Sequence, residues 1–304
     1  MKKILVTGAS GFIGRHTLPI LAKNGWEVHA VNYPAPNPEL PGCVWHTADL
    51  HDAKAVRELM LSVRASHMLH LAWYAEPVKY WTSQENIKWV ATTLDLAKAF
   101  SAAGGRHIVG AGTCAEYDWN YGYCREDITP LAPTTVYGKC KHAARQLLEA
   151  FGEVNEIRVA WGRVFHLYGP YEAPGRLVPE VICALLRGKE ARCTQGDQVR
   201  DFLHVADVAS AFVLIVESQT AGVVNIGSGE PVLVRTIVDA IAGEVGARNL
   251  VRLGALSYPA GEQPLVVAAN GRLRDLGWAR SYTLSRGIAE TVAWWRTAAG
   301  RSEP

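Results

Sequence analysis

Over the first 165 residues, short apolar runs alternate with longer segments in which apolar residues recur every three or four positions. Ile4-Leu5-Val6 is the first run. The pattern predicts strands there and at Glu27–Val31, Val44–Thr47, His67–Ala72 and His107–Ala111. The fourth is apolar enough to be central in a parallel sheet. The intervening segments read as helices: a stretch rich in Ile, Leu and Ala after Gly14, then Asp52–Arg64, then Asn86–Ala103 with Ile87, Val90, Leu94, Ala97 and Phe100 near helical spacing. Pro34-Ala-Pro-Asn-Pro38 is predicted as a loop. Another helix follows the proline-rich turn Pro130–Pro133. Strands alternating with helices predict a doubly wound α/β fold with a parallel sheet covered on both faces. From about Phe165 the pattern becomes mixed. Helices are expected at Leu177–Leu186, Asp207–Val216, Arg235–Val245 and Leu284–Ala298, with a short strand at Val223–Ile226.

The first strand runs into Val6-Thr-Gly-Ala-Ser-Gly-Phe-Ile-Gly14. A strand that feeds a helix through such a turn builds a phosphate site. Glycine allows the tight turn and leaves no Cβ in the way of an approaching ligand. The first N–H groups of the helix have no partner within it, and the helix dipole favours an anion there. The position of this triplet, between a strand and a helix, is the context that makes it a dinucleotide signal.

Composition narrows the class. The chain has 304 residues, 49% of them hydrophobic and 20% charged, as in an ordinary globular protein large enough for two lobes. A formal net charge of +2 argues neither for nucleic acid nor for an anionic membrane surface. No signal peptide or bilayer-spanning run is read, and a cytoplasmic location is expected. The six cysteines lack a Cys-x-x-Cys pair and are expected as thiols in a reducing compartment, with no metal site.

Candidate chemistry lies beyond the carboxyl ends of the strands, where open α/β sheets bind ligands. Asn32 and Tyr33 follow the second strand. A carboxylate there would favour NAD through the ribose, and a basic residue would favour NADP. Neither is present, and the missing carboxylate gives a weak preference for NADP(H) over NAD(H). Arg15 could supply the cation for the extra phosphate, or be a solvated helix residue. Thr113 follows the fifth strand. Tyr137 and Lys141 are four residues apart, on one helical face. An ammonium beside a phenol lowers the phenol's pKa, as proton exchange near neutral pH requires. Among the aromatics after strand four, Trp73 and Trp81 could be core or could wall the site, and Tyr74 is better placed to line it.

These motifs resemble the extended short-chain dehydrogenases/reductases, in the branch of nucleotide-sugar epimerases, dehydratases and reductases. Thr7-Gly-Ala-Ser-Gly-Phe-Ile-Gly14 resembles the family's Thr-Gly-x-x-Gly-x-x-Gly, and His70-Leu71-Ala72 its strand-four signature. Asp49-Leu50 is similar to its adenine-side pair. Thr113, Tyr137 and Lys141 align with its hydroxyl, tyrosine and lysine. Arg163-Val-Phe-His-Leu-Tyr-Gly-Pro170 and Arg200-Asp-Phe-Leu-His-Val205 resemble two segments of its second half. The resemblance implies a Rossmann-type sheet over residues 1–165 with return segments near 200–225, and a smaller mixed α/β substrate lobe over most of 166–304, interleaved with it. It also implies a homodimer built on the helices at Asn86–Ala103 and Tyr137–Phe151.

The resemblance assigns cofactor contacts to Thr7, Gly8, Gly11, Phe12, Ile13, Gly14, Arg15, Asn32, Asp49, Leu50, Leu71, Ala72, Tyr137 and Lys141. Substrate contacts fall to Tyr74, Thr113, His166 and Arg200, and catalysis to Thr113, Tyr137 and Lys141. His166 stands where the family usually has Asn; it could donate to a sugar diphosphate or be a packed histidine. Arg200 could fork onto the diphosphate or pair with Asp201 at the surface. Arg163 could brace the turn. Cys114 and Ala115 replace the acid–base pair of the 4,6-dehydratases, and Glu116, displaced by one residue, should point elsewhere. Dehydration is therefore disfavoured. The expected activity is NAD(P)-dependent reduction of a nucleoside-diphosphate 4-keto-6-deoxyhexose, with Tyr137 as general acid. A 4-epimerase with tightly held NAD would use the same three residues. A non-catalytic dinucleotide sensor would have no need of them.

Overall fold

The computed structural model describes residues 2–35, 40–259 and 261–300. Residues 36–38 of the predicted loop lie outside the described residues. The strands are β1 (Lys3–Thr7), β2 (Glu27–Asn32), β3 (Val44–Thr47), β4 (His67–His70), β5 (His107–Thr113), β6 (Tyr123–Cys124), β7 (Arg158–Val164), β8 (His166–Tyr168), β9 (Ala191–Arg192), β10 (Val199–His204), β11 (Gly222–Ile226), β12 (Pro231–Leu233), β13 (Val251–Arg252) and β14 (Leu265–Ala268). The helices are α1 (Gly14–Lys23), α2 (Ala53–Val63), α3 (Glu85–Ala102), α4 (Val136–Asn155), α5 (Leu177–Leu186), α6 (Val205–Glu217), α7 (Val234–Val245), α8 (Gly271–Asp275) and α9 (Leu284–Gly300). No helix among the described residues is long and apolar enough to cross a membrane.

A seven-stranded sheet in the order β11-β7-β5-β4-β1-β2-β3 forms the larger layer, and every pairing in it is parallel. One face packs under α1 and α6 on Ile4, Val6, Leu18, Leu21, Val208 and Phe212. The other packs under α2, α3 and α4 on Leu5, Met68, Leu96, Ile108 and Leu148. Strand order reverses at β1, which has β2 on one side and β4 on the other. Open α/β sheets bind ligands at such a switch point, beyond the carboxyl ends of the strands. A smaller mixed sheet, β12-β10-β14-β6 with β8 paired to β10, stands beyond it. The two are interleaved: β6 comes from the first half of the chain but joins the smaller sheet, while α6 and β11 return to the larger one.

Two strand ends differ by two residues from the sequence pattern. β4 stops at His70, not Ala72, because its partner β1 ends opposite it at Thr7, where Gly8 turns into the left-handed region. β5 continues to Thr113, not Ala111, because β7 runs beside it as far as Val164. β7 was not expected at all, though it lies between β5 and β11.

Candidate active site

The glycine turn is closed by packing. Gly8 has φ 65°, and a Cβ there would come within 2.7 Å of Ala72 N. A Cβ on Gly14 would overlap the Gly8 carbonyl oxygen. α1 thereby sits against the turn, and the loops after β1 and β4 touch. The first bond leading into α1 runs from Arg15 N to Gly11 O, at 3.1 Å. The amides of Phe12, Ile13 and Gly14 lie ahead of it, at the positive end of the helix. A dinucleotide pyrophosphate fits this cradle. Gly11 is exposed beside it, while Ile13 packs into the core under α1.

Around the turn, some expected contacts are committed to the protein. Thr7 is fully buried: its hydroxyl meets His70 Nδ1 at 2.7 Å and accepts from Ala72 N at 3.3 Å. Its side chain thus ties the end of β1 to the end of β4. Leu71 is half-buried against the same core. Asn32 accepts from Ser10 Oγ at 2.8 Å and donates to Ala35 O. Arg15 donates to Ser10 O at 3.1 and 3.3 Å, and its guanidinium stacks 3.8 Å from the Tyr171 ring centroid. It is not a free solvated side chain. Asp49 accepts from His51 N at 2.9 Å, and Leu50 packs beside the α2 core.

Thr113 ends β5 and caps a short 3-10 turn, Cys114–Glu116. Its hydroxyl accepts from Ala115 N at 3.2 Å and keeps its own proton to donate. Glu116 does point elsewhere. It is fully buried, accepts from Thr113 N and Trp161 Nε1 at 2.9 and 2.8 Å, and pairs with Arg163 Nε at 2.8 Å. Burial pushes the Cys114 thiol up, so no proton acceptor replaces the dehydratase pair.

Tyr137 and Lys141 lie on the first turns of α4, which Thr135 caps by accepting from Gly138 N at 3.0 Å. A Cβ on Gly138 would overlap Ala115 O, so its glycine lets α4 approach the Thr113 turn. Tyr137 reaches Thr113, whose hydroxyl lowers the phenol's pKa; burial, the largest effect, and then Tyr80 push it up, and the net shift is upward. Lys141 Nζ donates to Ala111 O at 2.7 Å and lies 3.9 Å from the Trp73 ring centroid. Burial lowers its pKa to about 7, opposed by Glu116. The expectation that Lys141 depresses the phenol is thus corrected. The amine is itself desolvated and directed at a carbonyl and an indole, and the phenol stays protonated.

The aromatic loop after β4 closes on this pair. Tyr80 and Trp81 meet the Tyr137 ring edge to face, at 4.8 and 5.8 Å between centroids. Trp73 therefore faces Lys141, and Trp81 faces Tyr137. Tyr74 is half-buried, and its hydroxyl donates to Glu76 at 2.8 Å.

In the smaller sheet, His166 begins β8 against Phe202, its Nδ1 without a partner; burial lowers its pKa to about 3, helped by Arg200 and Arg176. Arg200 is buried. It pairs with Glu262 and donates to Val199 O and Gln263 O at 2.9 and 2.8 Å. The alternative pairing with Asp201 is ruled out, since Asp201 accepts from the Ser228, Gly229 and Ala268 amides. Three further groups here escaped the sequence reading. Glu172 is buried with Oε2 unpaired, and burial raises its carboxyl to about 8. Arg176 donates to Tyr80 OH at 3.1 Å. Tyr80 itself is the third. The signals were their places: Glu172 and Arg176 just past Tyr-Gly-Pro, and Tyr80 in an aromatic-rich loop after a central strand.

Residues 4–227 match a sequence profile described as the NAD dependent epimerase/dehydratase family. The chain is 28% identical to the UDP-glucose 4-epimerase of Rhizobium leguminosarum bv. trifolii, covering 96% of both chains. It is 26% identical to the CDP-abequose synthase of Salmonella typhimurium, covering 95% of this chain and 97% of that one. Among solved structures, MoeE5 in complex with UDP-glucose and NAD superposes with a TM-score of 0.86 at 31% identity, over 98% of this chain and 99% of the other.

Proposed function

The chain belongs to the NAD-dependent epimerase/dehydratase family, in the extended short-chain dehydrogenase/reductase group, and from that premise we propose that it reduces the 4-keto group of a nucleoside-diphosphate 6-deoxyhexose. A bound nicotinamide supplies the hydride that this chemistry needs. Tyr137 gives its proton to the carbonyl oxygen as that oxygen gains charge. Thr113 hydrogen-bonds the same oxygen and orients it. When the dinucleotide is bound, Tyr137 and Lys141 would hold the nicotinamide ribose, with Leu71 and Ala72 alongside. The amides at Phe12–Gly14 would hold the pyrophosphate. Asn32 and Arg15 would turn from Ser10 to the adenosine ribose, and Asp49 and Leu50 would take the adenine. Tyr74, His166 and Arg200 contact the nucleotide sugar, Arg200 by exchanging Glu262 for phosphate oxygens.

The observation that carries this reading is the phenol of Tyr137, kept protonated by burial beside the Thr113 hydroxyl, with no acid–base pair at 114 and 115. A general acid must start from that state. The apolar wall of Trp73 and Trp81 suits a deoxysugar methyl group, and the names of the relatives support CDP- and UDP-sugars as the substrate class. The end of β2 carries no carboxylate, which supports NADPH. Oxidation of NADPH at 340 nm by CDP- or UDP-linked 4-keto-6-deoxyhexoses tests the proposal. Tyr137→Phe should lower kcat roughly 10²- to 10⁴-fold, the worth of general acid catalysis; near-normal turnover would exclude the mechanism.

The second reading is 4-epimerisation. It is favoured by the Arg15–Tyr171 stack, which ties the dinucleotide helix to the substrate lobe and would slow cofactor exchange. Purified protein that retains NAD⁺ through desalting and interconverts UDP-glucose and UDP-galactose would establish it in place of reduction. We further propose a homodimer through α3 and α4, which pack together and expose Ile87, Leu147 and Val154. Light scattering should give twice the chain mass, and Leu147→Asp should halve it.

A further inference from the structure

We propose that Tyr80 is a positioning residue that fixes the orientation of the Tyr137 phenol; the proposal rests on Tyr137 being the proton donor. Val78, a β-branched residue, has φ 66° and ψ −47°. Lys79 N donates to Pro77 O across it at 2.8 Å. This is a γ-turn of the strained hand, a conformation that persists only where its surroundings enforce it. The turn delivers Lys79–Trp81 as a single 3-10 turn and aims two rings at Tyr137. Tyr80 meets it at 4.8 Å and 89° between planes, Trp81 at 5.8 Å and 90°. Perpendicular contacts set an edge of one ring against the face of another, so they fix the plane of a ring as well as its place.

Tyr80 is itself held on every side. It is buried, its carbonyl accepts from Asn86 Nδ2 at 2.7 Å, and its hydroxyl accepts from Arg176 Nη1 at 3.1 Å. The Arg176 guanidinium also covers its ring, 4.7 Å from the centroid. Asn86 in addition accepts from Trp73 Nε1 at 2.8 Å, and Trp73 is the ring beneath Lys141. One buried amide therefore anchors both aromatic supports, one for the phenol and one for the amine. Arg176 comes from the substrate lobe, so the orientation of Tyr137 is shared between the lobes.

Tyr80→Leu keeps apolar bulk and removes the ring edge and the hydroxyl; Tyr80→Phe removes the hydroxyl alone. With a CDP-linked 4-keto-6-deoxyhexose and NADPH as probes, Tyr80→Leu should lower kcat roughly 10- to 100-fold, the cost of a displaced catalytic group, with KM within about threefold of the parent. Tyr80→Phe should retain most of kcat. 3-Fluorotyrosine placed at position 137 gives a substrate-free readout: one sharp ¹⁹F resonance in the parent, and a shifted, broadened or split one in Tyr80→Leu. That spectrum decides the matter where turnover is too slow to read. An unchanged ¹⁹F spectrum, or a rise in KM at constant kcat, would overturn the proposal. Full turnover by Tyr137→Phe would instead remove the acid–base reading, while the ¹⁹F result would still report on the orientation of the ring.

Discussion

Lys141 is the residue whose chemistry departs furthest from its textual promise. Four residues after Tyr137, it reads as a permanent cation; in the fold it is buried against Ala111 O and the Trp73 face, with its pKa lowered to about 7. The consequence for stability has a definite sign. Between about pH 7 and 10.5 the unfolded chain binds a proton here that the folded chain does not, so stability rises with pH across that window. Below about 7 both states are protonated, and the burial cost is present in full. Lys141→Met removes that cost, which is on the order of a few kcal/mol for a shift of this kind. Its melting temperature should exceed the parent's at pH 6, and the gap should shrink as the pH approaches 10. Calorimetry on both proteins across that range checks it. The residue types and spacing of Thr113, Tyr137 and Lys141 were legible in the sequence. Their protonation states were not, because those depend on neighbours contributed by the loop after β4 and by Glu116.

At the scale of elements, α4 carries Tyr137 and Lys141, and its first turn sets where they point. Thr135 accepts from Gly138 N, satisfying one of the free amides at the helix start. Thr135→Ala should cost about 1 kcal/mol of stability, the usual worth of such a cap, and should lower kcat beyond what partial unfolding explains, because Tyr137 is two residues on. Denaturant titration alongside steady-state kinetics separates the two effects. Most helices and the strands of the first half were readable, since an apolar run followed by a 3.6-residue period has few other solutions. β7 was not. Arg158-Val-Ala-Trp-Gly-Arg-Val164 carries two arginines, a tryptophan and a glycine in seven positions, and its run looks neither apolar nor alternating. It is nevertheless central because Arg163 is neutralised by Glu116, while Trp161 fills the space left by Gly110 and Gly112. The short strands of the smaller sheet were hidden for a different reason. Two or three residues carry no period, and only their partners define them.

Across the whole molecule, Glu116 is the joint. Its carboxylate takes the Thr113 amide at the end of β5 and both Trp161 and Arg163 from β7, and the outer guanidinium of Arg163 lies over the Tyr117 ring. Glu116→Gln leaves Arg163 as an uncompensated buried charge. It should cost about 3–5 kcal/mol, the usual penalty for breaking a buried pair from one side. A loss below 1 kcal/mol in urea denaturation would show the pair to be dispensable. Glu116→Gln/Arg163→Met should recover part of the loss, since it removes both charges together. The carboxylate one place past the dehydratase positions thus serves architecture, joining β5 to β7.

The late return of the chain to its first sheet bears on how the protein is made. β7 finds its outer neighbour only in β11, and α1 its covering helix only in α6, so neither can be satisfied until about residue 226 has left the ribosome. By then β8 and β10 have already been synthesised. A nascent chain halted near residue 165 would present a bare β edge and an uncovered apolar helix face, the features that recruit chaperones or seed aggregation. Synthesis order therefore obliges the larger sheet to wait for part of the smaller one, and severing the gene near residue 165 should give two insoluble products.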